Sequence, residues 1–132
     1  SNGFFTGKAL DLMEDYLDAI NIDLKAFREE TYQKYCGARL APIKENLIRI
    51  SKSDIHLEVT SLIIPGINDS EKEIKEMAEF VKSLGAEVPW HLSRFYPAYK
   101  MTKTQPTPTE ILEKAASIGK EVGLKNVYLG NI

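Results

Sequence analysis

Four short runs of strand-forming residues recur along the chain at a nearly constant spacing. Centred on Asp23, Val59, Ser93 and Tyr128, they lie 36, 34 and 35 residues apart. A helical pattern of apolar residues separates each run from the next. Because parallel strands must be joined by long crossovers, usually helices, this repeat predicts strand–helix–strand units on a parallel sheet. The predicted fold class is α/β, with parallel strands and outer helices.

The predicted elements follow from apolar periodicity, capping residues and turn residues. Strands are predicted over Ile20–Lys25, His56–Ile64, Trp90–Tyr96 and Asn126–Gly130. Helices are predicted over Gly7–Leu17, Phe27–Tyr35, Pro42–Ser51, Ser70–Leu84 and Thr107–Val122. Their predicted N-caps include Thr6, Ser70 and Thr107, and Ser70 with Glu73 fits a capping box. The apolar stripe of the first helix includes Leu10, Leu12 and Tyr16, and that of the third includes Ile48. The segment Ala98–Pro106 has no regular pattern and is predicted to be a loop of functional length.

The first strand carries a polar stripe. Successive side chains of a strand point to opposite faces, so the apolar and the polar residues of Ile20–Lys25 separate onto two sides. The polar side holds Asn21, Asp23 and Lys25. An exposed antiparallel strand would show the same alternation. In a parallel sheet both faces are normally covered, so we favour a barrel interior that lines a site near the carboxyl ends of the strands.

Length and composition are those of a globular domain. The 132 residues are predicted to form a single domain, 1–132, with 43% hydrophobic residues, 27% charged residues and a net charge of −2. This balance indicates neither a nucleic-acid nor a membrane partner. No apolar run approaches the roughly 18 residues of a membrane span and no signal-peptide pattern is present, so we expect a cytoplasmic protein.

Metal chemistry is not expected from this chain alone. Cys36 is the only cysteine, which excludes an intrachain disulfide and a cysteine-based metal or iron–sulfur site within these residues. With only two histidines, a self-contained zinc site is not expected either. Cys36 ends a helical pattern, where a structural thiol is favoured over a nucleophile.

The candidate site residues each have a functional and a structural interpretation. Lys25 could bind a carboxylate or phosphate, form a Schiff base, or pair with Asp23. Asn2 lies in a turn and could be chosen for local backbone bonding. His91 could be an acid or base, although a packed, hydrogen-bonded core histidine is favoured. Phe95 and Tyr96 could stack on a flat ring or belong to the core.

Seven segments, in order along the chain, resemble radical S-adenosylmethionine enzymes. The likeness is closest to the branch known as pyruvate formate-lyase activating enzyme-like, and within it to the AmmeMemoRadiSam system radical SAM protein. The segments are Ser1–Gly3, Asn21–Phe27, Tyr35–Leu40, Glu58–Asp69, Trp90–Pro97, Tyr96–Met101 and Val127–Asn131.

The resemblance implies a partial (β/α)6 barrel of TIM type. It also implies an enzyme that reductively cleaves S-adenosylmethionine at a [4Fe-4S] cluster to give a 5′-deoxyadenosyl radical. Lys25 would pair with the methionyl carboxylate and Asp23 would support the methionyl end or a nearby cation. Asn2 would lie in the floor of the site and Thr60 beside the ribose. Phe95 with Tyr96 would lie near the adenine, and no residue of this chain would be catalytic.

The chain departs from that family in one respect. The Cys-x3-Cys-x2-Cys cluster loop and the Gly-Gly-Glu-Pro segment are absent. We therefore expect the C-terminal half of a barrel that is inactive alone and has the N-terminal half as its partner. The open edge of the Ile20–Lys25 strand is expected to favour self-association, and the substrate, a protein or a small molecule, is not indicated. Two alternatives are a Schiff-base aldolase-like half-barrel that uses Lys25 and a non-catalytic binding fragment.

Overall fold

A computed structural model of the chain describes residues 6–36, 39–96 and 106–130. The expectations for Asn2 and for the loop from 98 to 105 lie outside these ranges, as does the side chain of Cys36. None of the helices in the described ranges is long and apolar enough to cross a membrane.

Helices alternate with strands along the whole described chain. The helices are α1 (Gly7–Tyr16), α2 (Glu29–Thr31, continued by a π-helical segment, Tyr32–Cys36), α3 (Leu40–Ser51), α4 (Glu71–Leu84) and α5 (Thr109–Glu121). The strands are β1 (Ala19–Asp23), β2 (His56–Ile63), β3 (Trp90–Arg94) and β4 (Val127–Gly130).

The four strands form one sheet in the order β1-β2-β3-β4, and every neighbouring pair is parallel. The prediction of a parallel α/β fold is confirmed. The register aligns Asp23 with Thr60, Thr60 with His91, and His91 with Tyr128. Since paired residues of neighbouring strands point to the same side, these four side chains form one row across the sheet.

The opposite side of the sheet is covered by helices. Trp90 is fully buried there, and a Cβ added at Gly119 of α5 would lie 3.1 Å from two carbons of its indole ring. Glycine at this position therefore lets α5 lie directly on the ring. The buried Ser61 hydroxyl accepts a hydrogen bond from Trp90 Nε1 at 3.1 Å. This satisfies the polar end of the indole inside the core.

The core is one contiguous cluster of buried apolar side chains on this covered side. Its largest fully buried members are Trp90, Tyr32, Leu10, Ile22, Leu24, Ile43, Leu47, Ile50, Ile63, Ile74, Met77 and Leu92. Ile22 and Leu24 belong to it, as the alternation of the first strand predicts. The polar residues of that strand consequently face the other side.

The predicted helix starts are confirmed in two cases. Thr6 caps α1 by accepting from Ala9 N at 3.1 Å, and Ser70 caps α4 by accepting from Glu73 N at 3.2 Å. The capping box predicted for α4 is only half formed. The Glu73 carboxylate is buried and accepts instead from Phe27 N at 2.8 Å, so it ties α4 to the segment after β1.

Three details of the predicted helices are wrong. Thr107 does not cap α5, which begins at Thr109 after Pro108; its hydroxyl is bonded to the sheet. Ile48, predicted on the buried stripe of α3, is 39% exposed. In α1 only Leu10 of the predicted apolar stripe is fully buried. Leu12 and Tyr16 are 64% and 83% exposed, because α1 lies at the border of the described core.

Candidate functional site

One face of the sheet carries polar side chains and is not covered by the core. We call it the open face. It consists of Asn21, Asp23, His56, Glu58, Thr60, His91 and Tyr128, which alternate with the buried residues of the same strands. Asn21 is exposed and Tyr128 is 50% exposed, so the open face is accessible to solvent.

A carboxylate lies between two histidines on the amino-terminal half of the open face. Glu58 contacts His91 Nε2 at 2.5 Å through one oxygen and His56 Nε2 at 3.4 Å through the other. The His91 ring stacks on Tyr128 with 5.3 Å between ring centroids. The hydrogen bond from His91, together with the charge of the two histidines, lowers the pKa of Glu58 despite partial desolvation.

The sequence analysis favoured a packed, hydrogen-bonded core histidine at position 91. The hydrogen bond is confirmed, but the core position is wrong. The ring is hydrogen-bonded, yet it lies on the open face with its side chain 33% exposed. Glu58 gave no separate signal in the sequence, because one glutamate in a strand is usually a solvated residue. The partner histidines could have suggested it only if the strand register were known.

The carboxyl end of β1 is fixed to β2. Asp23 is the register neighbour of Thr60, and the Thr60 hydroxyl donates to Asn21 Oδ1 at 2.8 Å. One residue beyond Asp23, Leu24 N donates to Thr60 O at 2.9 Å, which extends the pairing past the last assigned residue of the strand. Asp23 and Thr60 are therefore side by side on the open face.

Lys25 follows directly, and its backbone is held by two buried side chains. Lys25 N donates to the Tyr32 hydroxyl at 2.8 Å, and Lys25 O accepts from Asn68 Nδ2 at 2.7 Å. Its own side chain is half-buried, between the fully buried Leu24 and Ala26. Neither Tyr32 nor Asn68 was singled out from the sequence, because a buried tyrosine and a turn asparagine are ordinary residues without tertiary context.

The carboxyl end of β3 presents the two predicted aromatic residues. Phe95 is 6% exposed yet is not a member of the core cluster of the covered side, whereas Tyr96 is 51% exposed. The Arg94 guanidinium lies over the Tyr96 ring, 5.0 Å from its centroid. Phe95 N donates to the Thr107 hydroxyl at 3.0 Å, and that hydroxyl donates to Ile63 O at 2.5 Å. Thr107 thus joins the ends of β2 and β3.

The candidate residues therefore fall into two groups at one edge of the sheet. Asp23 lies beside Thr60, which is in the middle of β2, and Lys25 follows Asp23 by two residues; Phe95 with Tyr96 lies just past the end of β3, the next strand. Their assignment to a ligand stays a prediction.

A metal centre is not built from the described residues: within 6–36, 39–96 and 106–130 no three His, Cys, Asp or Glu side chains come together as ligands. The whole chain has one cysteine, and a [4Fe-4S] cluster is held by cysteine thiolates. The residues present do not fit such a cluster.

A second concavity lies at the opposite, amino-terminal ends of the strands. Its volume is about 580 Å³, and its lining includes His56, Glu87, Lys125 and Asn126. Lys125 Nζ pairs with Glu87 at 3.5 Å and Asn126 Nδ2 donates to Glu87 O at 3.0 Å. We call this concavity the lower groove. Since parallel α/β sheets place their sites at the carboxyl ends of strands, the lower groove is the less favoured site.

Comparison with known sequences gives relatives but no matching family model. An uncharacterized protein of Methanocaldococcus jannaschii is 41% identical over 133 residues, which are 100% of this chain and 39% of that protein. The benzylsuccinate synthase activating enzyme of Thauera aromatica is 29% identical over 82 residues, which are 62% of this chain and 25% of that enzyme. The chain therefore spans well under half the length of these relatives.

Comparison with solved structures gives close neighbours. A domain of a pyruvate-formate lyase-activating enzyme from Bacteroides vulgatus has a TM-score of 0.82 at 25% identity, covering 96% of this chain and 75% of that one. A radical SAM methyltransferase from Sphaerobacter thermophilus has a TM-score of 0.67 at 14% identity, covering 83% of this chain and 32% of that one. The second likeness shows the fold alone.

Four parallel strands with helices on one side, and polar residues at the strand ends, define part of an open α/β barrel. The likeness to a pyruvate-formate lyase-activating enzyme domain and to a benzylsuccinate synthase activating enzyme confirms the resemblance to radical S-adenosylmethionine enzymes that the sequence indicates.

Proposed function

We propose that this chain is the second half of the barrel of an activating-enzyme-like radical S-adenosylmethionine enzyme, and that it supplies part of the S-adenosylmethionine site. The observation that carries the proposal is the open face, where Asp23 at the carboxyl end of β1 lies beside Thr60 of β2 and Lys25 follows two residues later. The activating-enzyme domain that this chain resembles over 96% of its length supports the class.

The proposed roles follow from the chemistry of each side chain. The Lys25 ammonium is a compact charge that suits the methionyl carboxylate. Asp23 accepts from the methionyl ammonium or binds a cation beside it. Thr60 bonds a ribose hydroxyl, because its own hydroxyl can both donate and accept. These three side chains would bind and orient the ligand, and none would take part in bond cleavage.

The aromatic residues at the end of β3 complete the proposed site. Phe95, with Tyr96, would line the adenine, which suits a flat apolar ring. Thr107 fixes the backbone at Phe95 through two hydrogen bonds, Phe95 N to its hydroxyl at 3.0 Å and Thr107 N to Phe95 O at 3.1 Å. The backbone at the adenine wall would therefore be held by Thr107, whose hydroxyl is itself bonded to Ile63 O at the end of β2.

The iron–sulfur chemistry would come from outside this chain. A [4Fe-4S] cluster bound by the other half would supply the electron that cleaves S-adenosylmethionine. The single cysteine of this chain does not provide the ligands. The chain alone is proposed to be inactive, with the first half of the barrel as its partner at the free edge of β1 and a protein or small molecule as substrate.

The test uses the longer polypeptide that would contain this sequence, reconstituted with iron and sulfide under anaerobic conditions. On reduction with dithionite in the presence of S-adenosylmethionine, the proposal expects formation of 5′-deoxyadenosine, measured by liquid chromatography. Lys25→Met removes the proposed carboxylate partner and should raise KM for S-adenosylmethionine by about 10- to 100-fold, the usual loss for a charged hydrogen bond.

Lys120→Met is the matched control, since Lys120 is an exposed residue of α5 on the covered side. It should leave KM unchanged. Absence of 5′-deoxyadenosine from a protein with a full cluster, or equal KM values for the two variants, contradicts the proposal. A borohydride-trapped adduct at Lys25 with a carbonyl substrate would instead favour the Schiff-base alternative.

A further inference from the structure

Lys25 lies two residues past the end of β1, where the sheet no longer fixes the chain. Both of its backbone polar groups are nevertheless bonded, and each partner is a side chain from another segment. The Tyr32 hydroxyl accepts from Lys25 N at 2.8 Å, and Asn68 Nδ2 donates to Lys25 O at 2.7 Å. Tyr32 and Asn68 are each 1% exposed. Buried polar side chains of this kind hold fixed geometries because water does not compete for their partners.

Asn68 uses its whole amide to make this connection. Its Nδ2 also donates to Leu62 O at 2.8 Å, and its Oδ1 accepts from Ile64 N at 2.7 Å. One side chain thus ties Lys25 to the carboxyl end of β2 at two points. Tyr32 reaches the same residue from the π-helical segment after α2. The backbone of Lys25 is therefore held between the π-helical segment and the turn after β2.

We propose that Tyr32 and Asn68 are positioning residues that set the backbone of Lys25, and with it the reach of the Lys25 ammonium toward the carboxylate of S-adenosylmethionine. This inference rests on the proposed function. A flexible lysine side chain can reach a carboxylate from many backbone positions. If the backbone is also mobile, binding must immobilise it together with the side chain, and the lost conformational entropy weakens the affinity. A fixed backbone at Lys25 reduces that cost, and displacements of about 1 Å are enough to lose much of the gain.

The variant that tests the inference is Tyr32→Phe, which removes one hydroxyl and keeps the buried ring. Ser53→Ala is the control. The Ser53 hydroxyl is part-buried and donates to Ile50 O at 2.7 Å near the amino-terminal end of β2, so its removal loses a hydrogen bond away from the peptide groups of Lys25. Both variants should lower the melting temperature, whereas only Tyr32→Phe should speed amide hydrogen exchange at Lys25.

The decisive readout is the affinity for S-adenosylmethionine in the longer polypeptide, measured by calorimetry with Tyr32→Phe made alone and in a Lys25→Met background. We expect Kd to rise about tenfold for Tyr32→Phe alone, less than twofold when Lys25 is already replaced, and less than twofold for Ser53→Ala. Non-additivity of this kind indicates that Tyr32 affects binding through Lys25. A residue with only a structural role would have the same effect on Kd in both backgrounds.

Two results would overturn the inference while leaving the proposed function standing. In one, Lys25→Met weakens binding but Tyr32→Phe does not. In the other, Tyr32→Phe weakens binding equally in both backgrounds. If Lys25→Met itself leaves Kd unchanged, the proposed function fails and the inference fails with it.

Discussion

Asn68→Asp is an isosteric change that converts two donated hydrogen bonds into repulsive contacts. The wild-type Nδ2 donates to Lys25 O at 2.7 Å and to Leu62 O at 2.8 Å. In the variant a carboxylate oxygen would face both carbonyl oxygens, while the bond from Ile64 N to Oδ1 would remain. The residue is 1% exposed, so water cannot replace the lost donors without opening the strand ends.

The expected cost follows from these contacts. Each buried group left unsatisfied costs about 1–3 kcal/mol, so we expect a loss of about 3 kcal/mol in the free energy of unfolding at pH 7. The introduced carboxyl can donate one hydrogen bond when protonated, and its folded-state pKa should therefore rise above the unfolded value of about 3.9. The destabilisation is then smallest below about pH 3.9 and grows as the pH rises through the folded-state pKa.

Urea denaturation followed by circular dichroism between pH 3.5 and 8 measures this cost. Asp69→Asn is the matched control, because Asp69 is the next residue and its Oδ1 accepts from Gly66 N at 3.0 Å at an exposed site, a bond that the asparagine oxygen can keep. It should change stability by less than about 1 kcal/mol. If Asn68→Asp costs no more than the control at pH 7, or its cost does not depend on pH, the account of Asn68 is refuted.

Three further outcomes are expected. The hydrogen bond to His91 holds the pKa of Glu58 below its ordinary value of 4.5, so the stability contributed by the Glu58 carboxylate is present above pH 4.5 and is lost as the pH falls through the folded-state pKa. Glu58→Gln should therefore lower the free energy of unfolding by less than about 1 kcal/mol at pH 7 and by a smaller amount at pH 3.5. A stability difference between wild type and variant that does not change with pH contradicts this. Gly119→Ala should destabilise by about 1 kcal/mol in thermal unfolding, since overpacking against Trp90 outweighs the gain in helix propensity. Gly7→Ala, where an added Cβ would lie 3.9 Å from Arg49 Nη1, should not destabilise. The outer edge of β1 has no strand partner within the described ranges, so light scattering should show dimers or larger species, and a monodisperse monomer would count against it.

The sheet was predictable because its signals are local. The alternation of Ile22 and Leu24 with Asn21 and Asp23 survives in the structure as a buried and an open face. The spacing of the four runs implied helical crossovers and hence parallel strands. Helix ends marked by Thr6 and by Ser70 were also recognisable, since a cap bonds to residues three positions away.

The contacts that hold the strand ends were not predictable. Glu73 looked like a member of a capping box, yet it bonds to Phe27 N, 46 residues away. Thr107 looked like a helix cap and instead bonds to Ile63 O, 44 residues away. Local preference and a buried tertiary partner compete for the same side chain, and the sequence shows only the first of these.

The candidate site also contains residues that the sequence indicates and residues that only the fold reveals. Lys25 and Asp23 were found because charged residues at the end of an apolar strand are unusual. The pairing of Glu58 with His91 depends on strand register, which periodicity does not fix. Tyr32 became visible only once the fold placed its hydroxyl on Lys25 N.

Hydrogen exchange with and without S-adenosylmethionine, read by mass spectrometry on the longer polypeptide, tests the central claim most directly. The account predicts slower exchange on ligand addition in the segments 21–26 and 59–64, at the carboxyl ends of β1 and β2. The segments 85–89 and 124–126, which border the lower groove, should not change. Protection confined to the lower groove, with none at 21–26, would contradict the claim that the open face at the carboxyl ends binds this ligand.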